Sequence, residues 1–137
     1  MGPAESSIFI VDDDPSICAA LARLFRSAGL AAQIFGCARE FLAQAPNLGP
    51  GCLILDHGLP DLSGLEFQAE LVRAGMGLPI IFLTAHGSRS LRAKALQAGA
   101  VGFLEKPVED QALLTLVFQA LERDRQATLD TGFDPPE

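Results

Sequence analysis

Hydrophobic residues gather along this chain in five short runs: SIFIV (7–11), AAQIF (31–35), GCLIL (51–55), PIIFLT (79–84) and VGFLE (101–105). Most are too continuous for a strand with one wet face, and β-branched residues recur in them. Strands buried on both faces of a parallel sheet have this look. The stretches between the runs carry helical spacing instead. After Asp14 as N-cap and Pro15 at the first helical position, Ile17, Leu21, Leu24, Phe25 and Ala28 mark one face, and Gly29 ends the helix. A short helix is predicted over 38–44. A third, from Ser63 or Gly64, carries Leu65, Phe67, Leu71 and Val72 and stops near Gly75. A fourth spans about 88–98 with a thin stripe of Leu91, Ala95 and Ala98. The fifth is the clearest: Leu113, Leu116, Val117, Ala120 and Leu121 recur at helical spacing after Glu109 and Asp110.

Five strand–helix units in alternation predict an α/β fold, (βα)5 and doubly wound. Right-handed crossovers put helices on both faces of a parallel sheet, here of order 2-1-3-4-5. Residues 1–126 are read as one domain. Residues 127–137, acidic and closed by two prolines, read as a tail or linker.

Composition narrows the function classes. With 137 residues, 49% of them hydrophobic, the chain closes one core. A net charge of −7 argues against this domain binding nucleic acid directly, because such binding rests on cations neutralising phosphates. No apolar run approaches the length of a membrane span, and MGPAESS lacks the features of a secretory signal, so a cytoplasmic location is expected. Cys18, Cys37 and Cys52 show no metal-ligand spacing and read as buried, reduced thiols.

The informative residues stand where strands end. VDDDPS sets three carboxylates behind the first strand, and CLILD sets Asp56 behind the third. In a doubly wound sheet of this order the switch point lies between strands 1 and 3, at their carboxyl ends, where ligands collect. Asp14, before Pro15, reads as a helix cap. Asp12, Asp13 and Asp56 would repel one another unless a proton or cation sat among them. A hard divalent cation such as Mg²⁺ suits oxygen ligands of this kind. Thr84 ends the fourth strand, and Lys106, before Pro107, follows the fifth. A carboxylate, a hydroxyl and an ammonium around a metal suit phosphoryl transfer.

The set VDDD, LILDHGLPDLSG, LTAH and FLEKP, in this order and spacing, resembles the receiver domain of bacterial two-component response regulators over about residues 7–123. TAHGS and FLEKPVEDQALL look most like the FixJ-type subfamily, whose receivers usually precede a LuxR-like helix-turn-helix domain. The resemblance implies that Asp56 is the phosphoacceptor, fed by a sensor histidine kinase. It implies that Asp12, Asp13, Asp56 and the Gly58 carbonyl hold Mg²⁺, and that Lys106 pairs with the phosphoryl group. Thr84 would be the switch hydroxyl, Phe103 an aromatic that turns inward, and Lys106–Pro107 a cis peptide. It further implies a switching face of the fourth helix, fifth strand and fifth helix, with a homodimer formed on phosphorylation. Such a domain promotes its own phosphorylation but is a signalling element rather than a conventional enzyme; a stand-alone relay receiver is the alternative. Two departures stand out: Gly58 replaces a long side chain, and Ser88 an acidic residue.

Other readings fare worse. A haloacid-dehalogenase-like phosphatase needs a second Asp two residues after its nucleophile, where this chain has Gly58. An FMN-binding flavodoxin-like module needs a hydroxyl- and amide-rich loop after the first strand, where three carboxylates would repel phosphate. His57 and His86 read as packing or loop residues; Phe9, Phe25, Phe35, Phe82 and Phe118 read as core or helix packing.

Overall fold

The computed structural model describes residues 7–132, with side chains through Arg123. Five strands, β1 (Ser7–Val11), β2 (Ala31–Phe35), β3 (Gly51–Leu55), β4 (Ile80–Thr84) and β5 (Gly102–Glu105), alternate with five α-helices. These are α1 (Pro15–Ser27), α2 (Ala38–Gln44), α3 (Gly64–Arg73), α4 (Arg89–Gln97) and α5 (Asp110–Gly132). All strand pairs are parallel, in the order β2-β1-β3-β4-β5. A 3₁₀ turn at Ala45–Asn47, absent from the sequence reading, prolongs α2.

Strand alternation divides the core in two. Phe9, Val11, Leu53, Leu55, Phe82 and Phe103 face α2, α3 and α4, where Phe41, Phe67, Leu71, Leu91 and Ala95 meet them. There Phe41 is the hub of an aromatic cluster, its ring centroid 5.1 Å from Phe35 and 5.7 Å from both Phe9 and Phe67. Ile8, Ile10, Cys52, Ile54, Ile81 and Leu83 face α1 and α5, against Cys18, Leu21, Phe25, Leu113, Val117 and Ala120. Asp14 caps α1 by accepting from the N–H groups of Ser16 and Ile17. Ser63 and Glu66 form a capping box on α3, and Ser88 caps α4. Gly29, Gly75 and Gly99 follow α1, α3 and α4 at φ +84°, +76° and +109°, the left-handed conformation that ends helices without steric cost.

Several expectations need correcting. β2 takes the edge place that the expected order gives it, but of its apolar run only Phe35 is buried, since one neighbouring strand covers less than two. Phe118 and Val72 point to solvent, 46% and 64% exposed. Cys37 is only partly buried. The helix α5 continues through Gly132, past the expected tail boundary at residue 126. No glycine or proline interrupts it earlier, so helix propensity carries it on. Residues 133–137 of that tail lie outside the described residues.

Candidate functional site

The register of β1 against β3 sets Val11 beside Leu55, so the residues that follow, Asp12 and Asp56, leave the sheet at the same edge. The backbone fixes both: Asp12 N–H donates to Phe35 O and Asp56 N–H to Val11 O. Asp12 is buried, Asp13 exposed and Asp56 between the two. Each offers one carboxylate oxygen, and the three lie within 4.8 Å of one another. Oxygens on an Mg²⁺ octahedron of about 2.1 Å radius stand roughly 3–4 Å apart, so slight contraction suffices and an all-oxygen donor set suits this ion.

Lys106 enters from β5. Its Nζ lies 2.8 Å from Asp12 Oδ2 and 3.9 Å from Asp56 Oδ1, and it follows Lys106 N–H donation to Thr84 O. The Lys106–Pro107 peptide is cis, as the motif implies. Asp12 is held on its other oxygen by the Asp14 N–H at 2.9 Å. Asp56 thus holds Lys106 more loosely than Asp12 does. Burial, then the negative charge of Asp12, pushes its carboxyl above the ordinary aspartate value, while Lys106 and the Gly58 N–H pull the other way. Burial first, then Asp12 and Asp14, raises the Cys18 thiol to about 11, so it is a neutral donor to Asp12 O at 3.2 Å rather than a nucleophile.

Gly58 is exposed, its N–H directed at the Asp56 carboxylate. Thr84 is buried at the end of β4, where its Oγ1 accepts from the exposed His86 N–H at 3.4 Å. Phe103 is already buried and stacked on Phe82, centroids 5.9 Å apart. Phe103 thus occupies the inward position that the resemblance implies for it. The His57 ring lies against Gly64 at the start of α3, outside the acidic cluster.

Sequence reasoning passed over two polar residues. Gln68, 1% exposed, crosses from α3 to donate to Ala95 O of α4 at 3.1 Å. Asp61, in the loop after Asp56, accepts from the backbone of α2. A signal for it existed: Cys37 at the α2 N-cap is a poor acceptor, so that helix needed one from elsewhere.

A parallel 2-1-3-4-5 sheet with carboxylates converging at its switch point and a lysine facing them defines a phosphoryl-handling α/β domain. Residues 8–118 match the model of the response regulator receiver domain, and the chain belongs to that family: it is the receiver domain of a two-component response regulator. It is 48% identical over 119 residues to nodulation protein W of Bradyrhizobium diazoefficiens, covering 87% of this chain and 52% of that one. Among solved structures it is similar to the response regulator StyR (TM-score 0.88, 40% identity, 94% of this chain and 65% of that one). It is also similar to FixJ-N (TM-score 0.80, 35% identity, 86% and 94%). The chain spans about half the length of the curated relatives it matches.

Proposed function

We propose that Asp56 accepts a phosphoryl group from the phosphohistidine of a sensor kinase. The observation that carries this reading is the Lys106 ammonium poised between Asp12 and Asp56 at the edge of a three-acid cluster. The free Asp56 oxygen attacks phosphorus. An O–P bond forms as the P–N bond to the donor imidazole breaks, and the electron pair leaves with the ring nitrogen. Asp12, Asp13, Asp56 and the Gly58 carbonyl would hold Mg²⁺, which neutralises charge on the transferring group. Lys106 is positioned to take a phosphoryl oxygen while keeping its bond to Asp12, and Thr84 Oγ1 supplies a hydroxyl from the neighbouring strand end.

The modified domain then acts through α4, β5 and α5. Arg92 of α4 donates to Phe103 O at 3.1 Å, and Gln68 ties α4 to α3, so α4 rests on few polar contacts and a thin apolar stripe. A symmetric dimer through this face, controlling a DNA-binding partner domain in the cytoplasm, is the output we infer; several longer relatives, of which the matched region covers 53–59%, are named transcriptional regulatory proteins. Incubation with Mg²⁺ and acetyl phosphate, followed by mapping of the acid-labile adduct, tests the reading. The label is expected on Asp56 and absent from Asp56→Ala; label on His57 or Ser63, or undiminished in that variant, overturns it.

A further inference from the structure

Helix α2 starts without a cap of its own. Cys37 is extended there (φ −154°, ψ 165°) and its thiol makes no capping hydrogen bond. The first N–H groups of a helix have no partner inside it and need an acceptor. Those of Ala38 and Arg39 find one far along the chain: Asp61 accepts from Ala38 N–H at 3.2 Å and from Arg39 N–H at 2.9 Å. The same carboxylate accepts from Leu62 N–H at 3.1 Å. Arg39 Nε, 3.9 Å away on a side chain 75% exposed, adds little. Burial works to raise the Asp61 carboxyl, yet N–H groups of Arg39, Ala38, Asp61 and Leu62 overcome it and hold it below the usual range.

Asp61 stands in the 56–63 loop, which also carries Gly58. At its base the loop is closed by Gly64 N–H donating to His57 O at 2.9 Å. Gly58 contributes no side chain, and a Cβ there would meet only Asp56 Oδ2, at 4.0 Å. At position 58 only the N–H directed at Asp56 restrains the chain, so the rest of its hold comes from the flanks: from Leu59, 8% exposed in the core, and from Asp61.

We propose that Asp61 is a positioning residue for the Mg²⁺ site. By gripping the N-terminus of α2 it locks the loop after β2 to the loop after β3, and so fixes the segment in which Gly58 presents its carbonyl. Its charge is met by backbone N–H groups, so it organises the site without adding repulsion to the acidic cluster. The inference rests on the metal-site reading given above.

The test measures Mg²⁺ affinity by calorimetry, since the chain has neither Trp nor Tyr for intrinsic fluorescence. Amide exchange at Gly58 is followed in metal-free protein. Asp61→Ala is expected to weaken Mg²⁺ binding about tenfold, the lower end of what removing a residue that orients metal ligands costs. Gly58 exchange should quicken in the same variant. Asp61→Asn should fall between, because one oxygen still accepts while the amide opposes the second N–H. Ala43→Gly, on an exposed site of α2, weakens the helix itself and should leave both readouts unchanged. Unchanged affinity and exchange in both Asp61 variants overturn the proposal, as does an equal loss in Ala43→Gly. Absence of Mg²⁺ binding in the parent would defeat the metal-site reading, and Gly58 exchange in metal-free Asp61→Asn would still decide the role of Asp61.

Discussion

Asp56 and Asp61 lie five residues apart in one loop, carry the same side chain, and are treated by the fold in opposite ways. Asp56 stands among like charges in a half-buried corner, and its carboxyl is pushed up by burial and by Asp12. Asp61 accepts from the backbone N–H groups of Ala38, Arg39 and Leu62, which together with its own N–H outweigh its burial and hold its carboxyl down. The first arrangement leaves a carboxylate under a tension that a cation would relieve. The second uses a carboxylate as a structural joint. What separates a reactive acid from a structural one here is whether its neighbours are charges of the same sign or aligned peptide dipoles.

The largest effect on this contrast should come from Lys106, the cation that makes the crowded corner tolerable. Asp12 is 4% exposed and depends on it. Lys106→Met leaves that carboxylate buried among like charges, and breaking a buried pair from one side costs about 3 kcal/mol. Urea unfolding in the presence of a chelator should show that loss, and millimolar Mg²⁺ should recover part of it by binding only the folded state. A loss below about 1 kcal/mol would mean that the acids relieve themselves without Lys106.

Next comes a reversal of sign. Asp61→Ala should destabilise the metal-free protein by about 1 kcal/mol, as loss of a helix cap does. Asp56→Asn should stabilise it slightly, because a raised carboxyl is one whose ionised form the fold disfavours. The pH dependences follow. The folded value of Asp61 lies below the unfolded one, so its contribution is complete above about pH 4 and lost as pH falls through the folded value. For Asp56 the folded value is the higher. Its penalty is absent in acid and appears as pH rises through the folded value, so the gap between parent and Asp56→Asn should close on acidification. Parallel pH profiles for the two variants would erase the distinction drawn between these residues.

The same contrast marks what could be read from the sequence. The five strands, four of five helix limits and the acidic corner were legible, because continuous apolar runs and acids at strand ends are local signals. Residues whose role depends on a distant partner were not. Asp61 looks like any loop acid until Ala38 and Arg39, more than twenty positions earlier, are seen to need it. Gln68 reads as outward by polarity, yet it is buried because an α4 carbonyl lies within its reach. Phe118 and Val72 fail in the other direction: hydrophobicity places a residue inside only when some element covers it. AAQIF, at the edge that the expected strand order assigns it, buries only Phe35 for the same reason.

The smallest expected effect concerns Gly58, between the two acids. An acyl phosphate hydrolyses when water reaches phosphorus in line with the leaving carboxylate oxygen, so access to that path sets its lifetime. Gly58 leaves the path open: it is exposed, and a Cβ at this position would meet nothing nearer than Asp56 Oδ2 at 4.0 Å. Its φ is not in the left-handed region, so the chain makes no use of glycine's special freedom here and a side chain enters without backbone strain. Gly58→Arg therefore places a long side chain over the phosphoryl group while Asp61 still holds the loop. We expect phosphoryl-Asp56 to last longer by a factor of a few, well short of the ~10²-fold that misplacing reacting groups can produce. Mg²⁺ affinity should be unchanged, since the contact proposed there is a backbone carbonyl. Decay of the labelled protein in parent and variant measures this directly. An unchanged or shorter lifetime would show that water access at position 58 does not limit the reaction, and that the openness of the corner is incidental to how long the signal persists.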